Sequence, residues 1–553
     1  MGELHEGTDT RESKDDGLAN KIAVYDTTLR DGTQGEGVSL SVEDKLKIAR
    51  KLDEFGVDYI EGGWPLSNPK DIEFFKAAKA IRFRNAKLAA FGSTRRAKNK
   101  VEDDPNLRKL VESGAPVITI FGKSWDFHVT HALRCTLEQN LEMIYDSVLF
   151  LKSLGLEVIY DAEHFFDGYK SDPQYAMQTL LSAANAGADA LVLCDTNGGG
   201  LPSEIGAVTM LVCARFPMKI GIHAHNDSGL AVANSIVAVE QGAVHVQGTI
   251  NGYGERCGNA NMCAIIPILE AKLGKRCVPE GSLAKMTEVS RFLDEVANIV
   301  PDDRMPFVGQ SAFAHKGGVH VDAMMKHPQT YEHITPEIVG NSRRVLISEL
   351  AGSSSVVQKA KNVGVDLSKG SPEIVSVLDN VVRLEHEGYS FENAEASFEL
   401  LLKKSLGMYR KLFDLKGFRV IIEKRGPEEE PITEATLKIA VDGKEAFTVA
   451  EGDGPVHALD NALRLALRQF YGKQLAKIKL SDFKVRVVNT RAGTAAKVRT
   501  IIESRDKTDT WTTVGVSTNI VEASWAALAD SIEYGLLRHL PEEERGGEET
   551  AAG

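Results

Sequence analysis

The feature that most constrains this chain is a recurrence. Between residue 21 and about residue 280, short β-like runs return every ~25–40 residues with helix-patterned stretches between them, as strand–helix units do. The runs are Ile22–Asp26, Tyr59–Gly62, Lys87–Phe91, Val117–Phe121, Glu157–Asp161, Ala190–Asp195, Lys219–His223 and His245–Ile250. Among the helical stretches, Asp44–Phe55 places Leu46, Ile48, Ala49, Leu52 and Phe55 on one face. Eight such units over about 260 residues predict an α/β fold of the (β/α)8 TIM-barrel type. Closure sets the first strand beside the eighth. An open, doubly wound sheet does not do that so simply.

Closure gives meaning to residues at the ends of the runs, where this architecture gathers its chemistry. Asp31 follows the first run, His223 and His225 the seventh, and Asn259 the eighth. Carboxylate, two imidazoles and an amide form a mixed oxygen/nitrogen ligand set for one divalent metal. Within a strand, a His-x-His pair points to opposite faces. This pair falls where the strand is expected to stop, so loop geometry can turn both inward. Taken singly these residues read as caps of strand ends; their coincidence at converging ends favours a site. Such a metal keeps open positions for a 2-oxo acid and acts as a Lewis acid on its ketone. Arg30, next to Asp31, can donate to the ketone oxygen as charge develops. Glu163 ends the fifth run, Thr196 the sixth, and Glu255 precedes Asn259. His320 lies in the Gly-rich stretch Phe313–Asp322, with His315 as a competitor; an imidazole suits proton transfer near neutrality.

The pattern changes after the barrel. Residues 286–395 read as helical linker subdomains, interrupted at Asp302–Gln310 and Gly352–Ser355. Residues 396–541 read as an α+β domain with strand-like runs at Phe418–Glu423, Ala435–Val441, Lys484–Val488, Lys497–Ser504 and Trp511–Val516. Gly452-Asp-Gly-Pro-Val and Gly515-Val-Ser-Thr-Asn each open a helix with an Ala-x-x-x-Ala-Leu core. This predicts a duplicated βββα unit, with helix openings suited to a small ligand or to pairing of chains. Residues 1–20 and 542–553 read as disordered tails, leaving 21–285 for the barrel.

The formal net charge of −13 argues against non-specific nucleic-acid binding, although Arg30, Arg95, Arg96 and Lys123 could hold an anion locally. No apolar run is long enough for a membrane span. Residues 1–20 resemble neither a signal nor a transit peptide. The six cysteines include no CxxC pair, which favours reduced thiols in a cytoplasmic protein. Cys257 sits in a ligand segment without a local base pattern to activate it.

Asp26-Thr-Thr-Leu-Arg-Asp-Gly-x-Gln34, His223-Ala-His-Asn-Asp227, Gly252-x-Gly-Glu-Arg-x-Gly-Asn259 and the His315–His320 loop resemble the 2-isopropylmalate/homocitrate/citramalate synthase family. Gly454-Pro-Val-x-Ala-Leu459 and Gly515-Val-Ser-x-Asn-Ile-Val-Glu-Ala-Ser524 resemble that family's allosteric domain. The resemblance spans residues 21–540. Glu61-Gly-Gly-Trp-Pro-Leu-Ser-Asn-Pro69 and Tyr160-Asp-Ala-Glu-His-Phe165 resemble the citramalate branch; isopropylmalate members usually carry Phe where Trp64 stands.

This resemblance implies an acyltransferase. It would condense acetyl-CoA with pyruvate, hydrolyse the thioester and release (R)-citramalate for isoleucine biosynthesis. Asp31, His223, His225 and Asn259 would hold Mn²⁺, Mg²⁺ or Zn²⁺. Arg30 would polarise the ketone and Thr196 would hold the carboxylate. Glu163, His320 and Glu255 would serve catalysis, while Trp64 and Tyr160 would contact substrate. Trp64 would narrow the pocket to pyruvate's methyl group. The family's helical region often supplies a tyrosine after a Val-Gly like Val339-Gly340, but none follows here. A homodimer with isoleucine as effector is implied for the C-terminal domain. The main alternative is a 2-isopropylmalate synthase using 2-oxoisovalerate. Homocitrate synthase, a lyase on the same barrel and a non-catalytic amino-acid sensor fit less well.

Overall fold

A computed structural model describes residues 20–316, 318–346, 353–362, 367–368, 370–392, 394–488 and 495–541. The expected tails lie outside these residues except for Asn20, as does part of the expected break at Gly352–Ser355. The chain forms two compact units. One runs to Phe313 and takes in Ile334–Ser342; the other comprises Ala314–His333 and the chain from Arg343 onward. The segment read as helical linker, 286–395, is thus divided between them.

The first unit is a closed barrel of eight parallel strands in sequence order. They are β1 Ala23–Asp26, β2 Tyr59–Gly63, β3 Lys87–Ser93, β4 Val117–Lys123, β5 Glu157–Glu163, β6 Ala190–Asp195, β7 Lys219–Ala224 and β8 His245–Gly248. Closure pairs Ala23 with His245 and Asp26 with Gly248. All eight predicted runs are strands. The last stops at Gly248 rather than Ile250, because the chain turns there through Asn251 at φ 61°.

Helix α1, Val42–Phe55, shows how the outer layer is specified. Ser41 and Asp44 cap it reciprocally and Gly56 ends it at φ 99°, satisfying backbone groups at both ends. Its Ile48, Leu52 and Phe55 are fully buried against the barrel, each contributing about 1.5–3 kcal/mol of apolar burial. An aspartate at Leu52 would place an unpaired charge there and break this packing. Helix α2, Met286–Ala297, also packs in this unit.

Alternation along the strands divides the barrel into an apolar outer set and a graded interior. Val24, Ile60, Ile118, Val158, Leu191 and Ile222 face the helices. Inside, Tyr25, Tyr59, Ala89, Val117, Ile159, Ala190 and Val192 form an apolar layer. Further along the same inward rows come Glu61, Thr119, Asp161 and Gln247, all buried. The interior therefore changes from apolar to polar toward the C-terminal ends of the strands.

The second unit contains two three-stranded antiparallel sheets. The first is β9 Asp414–Glu423, β10 Ile432–Val441 and β11 Lys444–Gly452; the second is β12 Lys479–Val487, β13 Val498–Arg505 and β14 Thr510–Ser517. Each precedes a long helix, α3 Pro455–Leu475 and α4 Ile520–His539. The duplicated βββα expectation matches this order. The strand β11 had no separate expectation, since its exposed Phe447 and Val449 do not alternate into an obvious buried row.

Candidate active site

The C-terminal ends of the barrel strands enclose a cavity of about 240 Å³, smaller than the ~300–1,000 Å³ usual for drug-sized ligands. Arg30, Asp31, Trp64, Glu163, Thr196, His223, His225 and Glu255 all line it.

At its base, Asp31 Oδ2 lies 3.5 Å from His223 Nε2 and 3.9 Å from His225 Nε2. The two Nε2 atoms are 3.3 Å apart. β7 ends at Ala224, and His225 continues as an isolated bridge to Asn259, which frees its ring to turn inward beside His223. Gln247 Oε1 meets His223 Nδ1 at 2.9 Å, and Gln247 Nε2 donates to Asp161 Oδ1 at 3.0 Å. That partner puts the proton on Nδ1 and leaves Nε2 to bind a cation, the arrangement metal-binding histidines commonly have. Burial, with His223 alongside, lowers His225 to about 3, keeping it neutral as a ligand must be. Burial would raise Asp31, but Arg30 and the two imidazoles hold it at about 2.

Asn259 completes the set. Its side chain helps hold Asp31 ionised, and its Nδ2 donates to the Tyr253 carbonyl at 3.1 Å. Its Oδ1 is buried without a hydrogen-bond partner among the described residues. Gly254, at φ 152°, lets the backbone pass this amide; a Cβ there would run into Asn259 Nδ2. A carboxylate oxygen, two imidazole nitrogens and an orphaned amide oxygen fit a divalent ion.

Arg30 forms the next level. Its Nε donates to Glu61 Oε2 at 2.6 Å, and its Nη1 reaches Asp31 at 3.0 Å. The guanidinium lies 3.7 Å from the centre of the Phe91 ring. Burial works against its charge, but Asp31 and Glu61 more than offset this and raise its pKa. Trp64 meets Phe91 and Phe121 edge-on at 5.9 and 5.6 Å, and these two stack at 5.4 Å. The indole Nε1 donates to Asn106 Oδ1 at 2.8 Å. Together the three rings make an apolar wall that adjoins the charged base at Arg30.

Glu163 pairs with Lys123 at the rim. Thr196 Oγ1 accepts from the His164 amide at 2.9 Å. Glu255 is exposed and 3.6 Å from Arg256. Arg256 forks onto Asp227 at 2.7 and 3.0 Å and onto the Thr196 carbonyl at 2.9 Å.

Tyr160 requires a correction. It is fully buried in the layer between barrel and helices. Asp161 and Glu163 line the cavity; Asp161 faces inward, so its neighbour Tyr160 faces outward and cannot touch substrate. His320 belongs to the second unit, exposed on a helix at Gly318–Lys326, with its ring stacked on Tyr331 at 4.2 Å. Its competitor His315 is 3.3 Å from Glu332, which also holds Arg343.

Sequence reasoning missed Glu61, Asp161 and Gln247. Glu61 accepts from Tyr25 at 2.6 Å, from Thr27 and from Arg30. Burial, then Glu61, push Asp161 well above the carboxylate range. Their signal was available: each lies two positions beyond an inward-facing residue of its strand, Tyr59, Ile159 and His245 respectively.

Comparisons with known proteins match this architecture. Residues 21–293 match the family model described as HMGL-like, 307–387 the homocitrate synthase post-HMGL domain-like model, and 392–536 the LeuA allosteric (dimerisation) domain. The chain is 55% identical over 530 residues to the (R)-citramalate synthase of Aquifex aeolicus, covering 96% of this chain and 100% of that one. It is 55% identical over 525 residues to that of Geobacter sulfurreducens, covering 95% and 99%. A probable 2-isopropylmalate synthase of Methanopyrus kandleri is 30% identical over 515 residues, covering 93% and 98%.

Proposed function

The chain belongs to the (R)-citramalate synthase family, and we propose that it joins acetyl-CoA to pyruvate, with water, to give (R)-citramalate and free CoA. The observation that carries this reading is a small cavity with Asp31, His223 and His225 at its base and Trp64 with two phenylalanines along its wall. A divalent ion held by Asp31, His223, His225 and Asn259 would supply Lewis acidity to the ketone and bind the acid's oxygens.

The remaining work falls to the chain's own groups. Arg30, fixed by Glu61, holds positive charge where the ketone oxygen becomes an alkoxide. Thr196 offers a hydroxyl to the pyruvate carboxylate. The aromatic wall faces the methyl group and excludes water from it. A proton leaves the acetyl methyl, a carbon–carbon bond forms to the ketone carbon, and the alkoxide is then protonated. Water next attacks the thioester carbonyl and the CoA thiol leaves. We assign these proton transfers to Glu163 and His320, with Glu255 at the rim as a supporting group.

The duplicated C-terminal units would pair two chains and take isoleucine as a feedback effector, placing the reaction in isoleucine biosynthesis. CoA release from acetyl-CoA, with Mn²⁺ or Mg²⁺ and a panel of 2-oxo acids, tests the proposal. Pyruvate giving by far the highest kcat/KM is expected. A preference for 2-oxoisovalerate would overturn the assignment of substrate.

A further inference from the structure

Asn259 is the one member of the proposed ligand set whose donor atom depends on which way an amide is turned. A carbonyl only accepts, so the Tyr253 carbonyl can face only the NH₂ side of that amide. The same carbonyl accepts from Thr249 Oγ1 at 2.7 Å. The orientation of Asn259 thus depends on where residue 253 is held.

Tyr253 does not line the cavity. Its hydroxyl donates instead to Asp294 on helix α2. Asp294 is 3% exposed and also accepts from Asn251 Nδ2 at 2.8 Å, through the same Oδ1. Asn251 is saturated: Nδ2 also donates to the Ser290 carbonyl at 3.0 Å, and Oδ1 accepts from Ser290 Oγ at 2.7 Å and from the Cys263 thiol at 3.3 Å. Asn251 stands at φ 61°, a conformation that non-glycine residues adopt when local bonds hold them there. Both ends of the turn after β8 are therefore tied to one carboxylate on the first helix beyond the barrel.

We propose that Asp294 is a positioning residue that, through Tyr253, orients the Asn259 amide so that Oδ1 serves the metal. This rests on the metal-site reading above. Partners one step behind a metal ligand commonly change affinity by about 10–100-fold.

The test uses the full-length protein and Mn²⁺ alone, with the dissociation constant followed by electron paramagnetic resonance and the unfolding midpoint recorded for each variant. Tyr253→Phe removes only the hydroxyl, and Asp294→Ala removes the acceptor. Each should weaken Mn²⁺ binding by about 10-fold or more at temperatures where the protein remains folded. Asp294→Asn keeps an Oδ1 acceptor for both donors and should restore binding to near wild type, a rescue that a role for charge alone would not give. If Asp294→Ala fails to fold, Tyr253→Phe carries the test by itself. Wild-type affinity in Tyr253→Phe, or equal weakening in Asp294→Asn and Asp294→Ala, would overturn the proposal. Failure of the wild type to bind Mn²⁺, or undiminished binding by Asn259→Ala, would overturn the metal-site reading beneath it.

Discussion

Substrate choice can be tested at Trp64. The indole stands edge-on to Phe91 and Phe121, so its bulk limits how far an acid's side chain can extend. Trp64→Leu would open that wall. 2-Oxoisovalerate carries two more carbons than pyruvate beyond the keto group. Burying them against the enlarged apolar surface is worth about 0.8 kcal/mol each, or ~1.6 kcal/mol together. That is about 15-fold in kcat/KM relative to pyruvate, before any relief of steric exclusion. The substitution has a second effect that must be separated. Trp64 Nε1 donates to Asn106 Oδ1, and Asn106 is 3% exposed. Leaving that oxygen unpaired costs about 1–3 kcal/mol of stability. Trp64→Phe loses the same hydrogen bond but keeps most of the bulk, so it should share the loss of stability with little change in preference. Initial rates of CoA release with both acids give the ratio, and thermal unfolding gives the stability. A ratio in Trp64→Leu within about twofold of wild type, with stability reduced as expected, would remove Trp64 from the specificity argument.

Three further outcomes follow from the geometry. Chelation should abolish CoA release and added Mn²⁺ should restore it, whereas Asp31→Ala should bind no Mn²⁺ by calorimetry at concentrations that saturate the wild type. Burial, opposed by hydrogen bonds from Thr28, raises Asp26 to about 7 from 3.8. Its stabilising contribution is therefore present below pH ~4 and lost as pH rises through ~7, up to about 4 kcal/mol across that window. Asp26→Asn should consequently gain unfolding midpoint relative to wild type at pH 8 compared with pH 5; an identical difference at both would show that this carboxyl does not retain its proton. In the first C-terminal sheet, Phe447 and Val449 share the face opposite the buried Leu437 and Ile439, and Phe447 is 67% exposed. Phe447→Glu should shift light-scattering mass from dimer toward monomer if this face joins two chains, and an unchanged mass would place the junction elsewhere.

The barrel was legible because its information is local and repeated: each strand carries an apolar run, and closure needs only their number. The clustering of Asp31, His223, His225 and Asn259 was legible because three marked segments fell at strand ends that closure brings together. What escaped was set by orientation rather than by position. Tyr160 and Glu163 occupy one strand three residues apart, and period-two alternation sends Glu163 to the cavity and Tyr160 to the helix layer. Proximity to a motif suggested Tyr160; the alternation was the better guide and would have excluded it. Applied to β2, the same rule picks out Glu61, two residues beyond the inward Tyr59. Glu61 opens the segment that carries Trp64, but nothing in that segment marks it as the acceptor for Tyr25, Thr27 and Arg30 that it is. A fully buried carboxyl is costly unless such donors surround it, so its presence is intelligible only once the barrel sets Tyr25, Thr27 and Arg30 around it. Replacing Glu61 by Gln would keep the shape but weaken the hold on Arg30. The placing of the Arg30 charge in this cavity therefore depends on a residue whose neighbours are set by the pairing of β1 with β2.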